Sequence, residues 1–499
     1  MSTTRIGFVG TDGRSLLAAL ETSKATSELY PGDYQGVVVR GTPAMPPFAR
    51  RMKWPVGFIP VAENTVESFA AALIQAFQEK ALDLALVMPE QLIFNGLVDR
   101  VAAAGFGEKI IGLDQKGAFI EADKIACKKL CREAGIPVAP AWVETDARDY
   151  RAVLRICLEY LHVYGGVVLK YPYSAGGKGA RVILSTWEIR DVYDGLLRDY
   201  RPDYIHLCGK KGPWPLLIEA RMSGVEISFT ILVDRNGNYQ ILPTALDYPE
   251  RFAGPPSIDN PITGGMGSIS PHPMETPELL ALAEETIAQP LIAAMQARGI
   301  LRPCVLYPGC FVSFDNHFRP TAIRVCEINI RPGEPEFQPI VKRLRNLGAL
   351  LTAVAAGHLD TVKPEVRTDQ VSLCIALVTG PGGPKQQKGY PWSLTKGEVL
   401  EADFDYFIKK GITVVPSAMN YEDGVFKSDG SRVAFLVANA TVKEGQKRSQ
   451  VAETLRLRLL NAYDQGKIRV IPREDESGNR LALRRDIGLH YLKAELLRP

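Results

Sequence analysis

The chain has no apolar run of about 18 residues, so it carries no sequence for a helical membrane span. It enters a strand-like pattern at Arg5 without an apolar leader core or a cleavage site, and a cytoplasmic protein is expected. Charge of one sign is not in excess. A formal net charge of +3 predicts neither a surface that coats nucleic acid nor an acidic tail, so no nucleic-acid and no membrane partner is expected. No two of the eight cysteines have Cys-x-x-Cys spacing and several lie in apolar runs, which predicts free buried thiols in a reducing compartment rather than disulfides or a zinc site. Cys127 and Cys131 share a helix face, yet no third ligand accompanies them, and the histidines are scattered. The phosphate loop Gly-x-x-x-x-Gly-Lys-Ser/Thr is absent, as are internal repeats and low-complexity tracts.

What is present is a long chain of alternating elements. Its 499 residues predict roughly three domains. Strands are expected at Arg5–Val9, Gln35–Arg40, Leu82–Met88 and Lys109–Leu113, with helices at Ser15–Leu20, Val66–Gln78 and Leu97–Ala104 between them. That alternation gives an α/β fold with a parallel sheet. A helix over Ala122–Ala134 ends at Gly135 with Pro137 beyond, a normal stop. Strands follow at Val167–Lys170, Val182–Leu184, Leu216–Ile218 and Ile227–Val233, then a long helix over Thr276–Arg298 and a hairpin of Cys304–Phe314 with Thr321–Asn329. The remainder mixes strands (Ser372–Val378, Val433–Ala438) with a helix (Gln450–Ala462), and Gly380–Gly389 reads as a surface loop.

Four segments carry chemistry. In Val325-Cys-Glu-Ile-Asn-Ile-Arg331, strand alternation puts Glu327 and Asn329 on one face, and Arg331 can share it. One carboxylate oxygen and one amide oxygen suit Mg²⁺ or Mn²⁺, and a guanidinium suits phosphate. An edge strand with a solvated polar face would look the same. Tyr173-Ser-Ala-Gly-Gly-Lys-Gly179 has small residues that let backbone N–H groups approach a phosphate, with Lys178 as a mobile cation and Lys170 eight residues earlier at a strand end. Ile218-Glu-Ala-Arg-Met-Ser-Gly-Val-Glu226 ends a strand at Glu219 and re-enters one after Glu226; a strand end can meet an adenine edge and a carboxylate can hold ribose hydroxyls, although a hairpin with two surface glutamates reads equally well. Thr263-Gly-Gly-Met-Gly267 places three glycines in four positions, costly in entropy unless the backbone turns sharply or touches a ligand.

In this order the segments resemble the ATP-grasp superfamily, and within it the phosphoribosylamine–glycine ligases. Pro89-Glu90 with Gly96-Leu-Val-Asp99 resembles the family's Pro-Glu segment, and Asp123-Lys124 resembles the Ser-Lys that opens its ATP-binding helix. Lys170 and Lys178 keep the family spacing, and Glu219 and Glu226 resemble the adenine-hinge and ribose positions. Thr263, Gly264, Gly265, Met266 and Gly267, then Ser270-Pro271, match a specific signature. Glu327, Asn329, Arg331, Gly333, Pro335, Glu336 and Gln338 match the Glu-Phe-Asn-x-Arg-Phe-Gly-Asp-Pro-Glu-x-Gln motif, and Arg485-Asp-Ile-Gly488 resembles a C-terminal mark.

The resemblance implies a pre-ATP-grasp substrate domain over residues 1–121, an ATP-grasp domain over 122–345 with a small lid at about 138–217, and a C-terminal α+β domain over 346–499. It implies ATP bound by Lys124, Lys170, Lys178, Glu219 and Glu226, a metal on Glu327 and Asn329, and Arg331 stabilising an acyl phosphate. Arg14, Glu90, Asp247, Arg251 and the Thr263–Gly267 loop would meet the amino acid and the amine, in a monomer or homodimer. The ATP loop departs from the family's Ala-Asp-Gly-Leu, with Tyr171-Pro-Tyr-Ser174 in its place, but most departures fall on the substrate side. The family's Gly-x-Gly-Gly-Arg-Glu-His is Gly10-Thr-Asp-Gly-Arg-Ser-Leu16, its Asp-His-Lys-Arg is Asp247-Tyr-Pro-Glu-Arg251, and its Arg-Phe-Gly-Asp is Arg331-Pro-Gly-Glu334. Two enzymes therefore fit: a divergent glycine ligase of purine biosynthesis, or a paralogue that joins another amino acid to another amine. A non-catalytic nucleotide-binding module would have lost Glu327, Asn329 or the lysines, all of which are present.

Overall fold

The computed structural model describes residues 3–24, 27–174, 179–257, 259–380, 389–392, 396–471 and 481–491. Strands Thr4–Gly10, Tyr34–Arg40, Gly57–Ile59, Leu84–Val87 and Ile110–Ile111 form a parallel sheet. The order runs from Gly57–Ile59 through Tyr34–Arg40 and Thr4–Gly10 to Leu84–Val87 and Ile110–Ile111. It reverses between the first and fourth of these in sequence, which opens a crevice at their carboxyl ends. Apolar runs buried on both faces form four of these strands, as in other helix-covered parallel sheets, while the edge strand Gly57–Ile59 is half-buried.

Two antiparallel sheets follow. The smaller joins Trp142–Asp146, Pro215–Ala220, Val167–Lys170 and Ala180–Ile183 and has its own core, built on Val153, Cys157, Leu196 and Tyr204. The larger centres on the hairpin Cys304–Phe314 with Pro320–Asn329. The expected single strand over 227–233 is two strands, Val225–Ser228 and Ile231–Val233, both paired to Cys304–Phe314. They break opposite Pro308, which has no N–H to give to the ladder.

The long helix expected over 276–298 is also divided. Pro277–Ala283 and Gln289–Ala297 flank a wider π-helical turn at Glu284–Ala288. Pro290 has no N–H and its ring would collide with the carbonyl one turn back, so the wider turn removes the clash.

Strands Leu246–Asp247 and Gly267–Ser270 join the sheet of the last third of the chain, beside Gln370–Thr379, Arg432–Thr441 and Thr413–Pro416. The Thr263–Gly267 loop is thereby seated on a buried sheet. One continuous core runs from Ile6 and Leu16 to Leu436 and Leu455, so the first and last thirds pack together. Among the described residues no helix is long and apolar enough to cross a membrane.

Candidate functional site

Asp123 caps the helix Lys124–Glu133; its carboxylate accepts the backbone N–H groups of Ile125 and Ala126 at 2.9 and 3.0 Å. That cap directs Lys124 and Lys128, one turn apart, to the same side. Lys124 donates to the Ser174 carbonyl and lies 3.5 Å from the Glu327 carboxylate. Glu121, Lys124, Lys128, Cys326, Glu327 and Asn329 line one recess.

The floor of the recess is the end of strand Pro320–Asn329. Gly309 pairs with Glu327 and Cys310 with Val325, so Cys326 is an extra, unpaired residue in a β-bulge. Bulges re-aim neighbouring side chains, and this one presents Cys326 and Glu327 to the recess together. Asn329 donates its amide N–H to the Tyr307 carbonyl at 3.3 Å, which leaves its side-chain oxygen unused. Burial alone would push Glu327 up, but Lys124, Lys170 and Arg331 together hold its carboxyl below the ordinary range.

A buried cluster of charges lies behind this floor. The Glu219 carboxylate is 1% exposed and sits between two ammonium groups, Lys170 at 2.6 Å and Lys128 at 2.8 Å. Burial opposes its ionisation, yet the two lysines bring the carboxyl down to about 2. Lys170 also donates toward the Cys326 thiol at 3.4 Å. Glu219 therefore turns its side chain inward. Glu226 faces Glu327, Glu250 and Glu336; withdrawal of its carboxyl from water first, and then repulsion from these carboxylates, raise it to about 7. Lys178, the remaining cation expected from sequence, lies outside the described residues, as do residues 175–177 of its loop.

Arg331 lies two residues beyond the strand, which ends at Asn329 as expected. Two carboxylates position it: Glu90 at 3.1 Å and Glu121 at 3.4 Å. Glu121 also accepts the Ile330 backbone N–H at 2.8 Å, while its other oxygen is buried without a hydrogen bond. Burial raises the Glu121 carboxyl to about 7, against the pull of Arg331. Arg14 is bound to Asp12 at 3.0 Å and to the Pro332 carbonyl, so it braces the turn after Arg331.

The glycine loop closes the other side. Gly265 has φ +96°, and a Cβ there would stand 2.2 Å from the Pro335 ring and 3.0 Å from Asp247. Only glycine allows that approach. Thr263 donates to the Pro249 carbonyl at 2.8 Å and accepts the Gly265 N–H at 3.1 Å. The Gly264 N–H goes to the Tyr390 hydroxyl at 3.0 Å. Met266 is fully buried and Gly267 is already in the sheet. Asp247 and Glu336 each keep one buried oxygen without a hydrogen bond, and Tyr307 donates to Glu336 at 2.5 Å. Arg251 is 1% exposed, donates to the Tyr390 carbonyl at 2.9 Å and has one free guanidinium nitrogen; burial lowers it to about 10.

The sequence reading missed Lys128, Glu121 and Arg432. Lys128 had a local signal, its spacing of one turn from Lys124. Arg432 had none: it comes from the last third of the chain, pairs with the Glu334 carboxylate at 2.7 Å and donates to the Gly264 carbonyl. The C-terminal mark also reaches the site, since the Gly488 N–H donates to the Tyr248 hydroxyl at 2.8 Å, next to Asp247. A second cleft opens at the carboxyl ends of Thr4–Gly10 and Leu84–Val87, lined by Thr11, Asn64, Gln91 and Asn95.

Residues 122–337 match the family model described as phosphoribosylglycinamide synthetase, ATP-grasp (A) domain. The phosphoribosylamine–glycine ligase of Vibrio cholerae is 30% identical over 389 residues, 77% of this chain and 82% of the relative. That of Xanthomonas campestris is 29% identical over 418 residues, 81% of this chain and 87% of the relative. Among solved structures, the phosphoribosylamine–glycine ligase of Thermotoga maritima superposes with a TM-score of 0.66 at 20% identity, covering 97% of this chain and all of that one. A biotin carboxylase domain from Hydrogenobacter thermophilus, solved with MgADP, ADP and bicarbonate, has a TM-score of 0.60 at 17% identity and covers 99% of this chain and 93% of that one. The ATP-grasp model falls on the stretch that holds the lysines, Glu219, Glu226 and the Glu327–Arg331 segment, and the Vibrio relative is matched over most of its own length: the chain belongs to the phosphoribosylamine–glycine ligase family.

Proposed function

We propose that the chain is an ATP-dependent, ADP-forming ligase that joins glycine to 5-phosphoribosylamine in purine biosynthesis. The observation that carries this reading is the convergence of Lys124, Glu327 and Asn329 on one recess, with Lys170 against its Cys326 wall. The ammonium groups of Lys124 and Lys170 lower the electrostatic cost of bringing phosphates there.

The residues fit a divalent cation. Glu327 is held ionised, and Asn329 has an unused amide oxygen, a hard-oxygen pair suited to Mg²⁺ or Mn²⁺. Among the described residues no group of three or more His, Cys, Asp or Glu forms a metal cage, so ATP phosphates and water would supply the other oxygens. Held by Glu327 and Asn329, the cation would offset negative charge during phosphoryl transfer.

The carboxylate of the amino acid attacks the γ-phosphorus of ATP; its bond to the bridging oxygen breaks and ADP leaves. Arg331, held by Glu90 and Glu121, would stabilise the resulting acyl phosphate. The amine then attacks the acyl carbon, the C–O bond to phosphate breaks, and an amide, phosphate and a proton result. The Thr263–Gly267 loop, with Asp247 and Arg251, would hold the amino acid, and Arg14 and Glu90 stand on the side where the amine would enter, next to the cleft at the sheet's carboxyl edge.

The altered substrate side favours one second reading, a different amino acid or amine at the same centre. ADP release and product mass after incubation with ATP, Mg²⁺, glycine and freshly generated phosphoribosylamine decide between them. Turnover with another amino acid but none with glycine would sink the first reading.

A further inference from the structure

Lys128 connects three parts of the recess and its surroundings. It projects from the helix Lys124–Glu133, lies 2.8 Å from one oxygen of Glu219, and donates to the Val325 carbonyl at 3.1 Å. Glu219 is the last residue but one of its strand, Pro215–Ala220, and Val325 stands two residues before Glu327 on the bulged strand. The other oxygen of Glu219 holds Lys170 at 2.6 Å. Two ammonium groups, 3% and 5% exposed, therefore share one carboxylate that is 1% exposed.

For stability alone this is a poor arrangement. A buried ion pair gains little over apolar packing, and a surplus buried charge costs more. The surplus has a use if an anion arrives. With Lys170 and Glu219 alone, the carboxylate would cancel the lysine's charge. Shared with Lys128, it fixes Lys170 in place and leaves net positive charge facing the recess. We infer that Lys128 is a positioning residue for nucleotide binding: it holds Glu219, through it orients the ammonium of Lys170 toward ATP phosphates, and ties both to the Glu327 strand. This rests on the reading of the recess as the ATP site.

The test compares Lys128→Met, Lys128→Gln and Lys128→Arg in the full chain, with circular dichroism to establish folding and calorimetry with ADP alongside steady-state kinetics. The Met and Gln variants are expected to raise KM for ATP and weaken ADP binding at least tenfold, with KM for glycine changed less than threefold. Lys128→Arg, which keeps the charge, is expected to recover most of the loss. Should Lys128→Met fail to fold, Lys128→Gln, which retains a donor for Val325, carries the comparison. Unchanged ADP affinity in a folded variant would overturn the inference, as would an equal loss in every kinetic parameter. Wild-type protein that binds no ADP would overturn the ATP reading itself, a different result from either.

Discussion

Replacing Glu219 by Gln removes the one carboxylate between two buried ammonium groups and keeps the side chain's shape. Lys170 lies 2.6 Å and Lys128 2.8 Å from it. Removing one partner of a buried pair costs about 3–5 kcal/mol. The protonation equilibrium gives a second route to the magnitude. The carboxyl falls from an ordinary 4.5 to about 2 because the lysines outweigh the burial that opposes ionisation. At about 1.4 kcal/mol per unit, that drop corresponds to about 3 kcal/mol of stability. Because the folded value lies below the unfolded one, the contribution is complete above about pH 4.5 and is lost as pH falls toward 2. The Gln variant lacks it at every pH. For a cooperative unit of ordinary size, a cost of this order lowers Tm by about 6–20 °C at pH 7. Thermal melts of both proteins from pH 7 down to pH 3 check it: the gap is expected to be widest at neutral pH and to narrow in acid. A Tm difference under about 2 °C at pH 7 would refute the reasoning. So would a gap that stays constant into acid, since that would place the cost outside the carboxylate.

Glu327→Ala should cut ADP formation by roughly a hundredfold or more while leaving the circular dichroism spectrum unchanged, as loss of a charge-stabilising ligand does; near-normal turnover would remove the metal assignment. Glu226 is raised to about 7 by withdrawal from water and by neighbouring carboxylates, so its ionised form, the better acceptor for ribose hydroxyls, grows as pH rises from 6 to 8. KM for ATP should fall over that range, and Glu226→Gln should flatten the profile. Gly265→Ala forces a Cβ to 2.2 Å from Pro335 at φ +96° and should cost about 1–3 kcal/mol, read as a lower Tm together with a higher KM for the amino acid. Arg432→Met frees the Gly264 carbonyl and the Glu334 carboxylate together, and should raise KM for the amino acid or the amine several-fold more than KM for ATP.

Much of the fold was legible because short-range rules fix it. The helix Val66–Gln78 and the strand Val167–Lys170 have the expected limits, since apolar period and capping decide both. The misses share one cause. The strand break at Phe229–Thr230 is imposed by Pro308, distant in sequence. Pro290 was visible, but a proline near the middle of an apolar period can end a helix or be absorbed by a wide turn, and packing decides between them. The chemistry of Glu327 and Asn329 could be read from two-residue spacing. The inward turn of Glu219 could not, because it depends on two lysines from two other elements.

The departures from the family pattern bear on whether the site works or has decayed. A site losing its function accumulates buried charges without partners, because nothing selects against their cost except stability. Here the substituted positions are partnered. Glu334, which stands where the family has Asp, reaches across to Arg432 of a distant strand, and that same guanidinium holds the carbonyl of Gly264 in the loop opposite. Arg14 keeps Asp12 and the Pro332 carbonyl. Beside the glycine loop, one oxygen each on Asp247 and Glu336 and one nitrogen on Arg251 are buried without a hydrogen bond, open to contacts from an amino acid or an amine. Substitutions that acquire partners within the scaffold are the pattern of a maintained site rather than a decayed one.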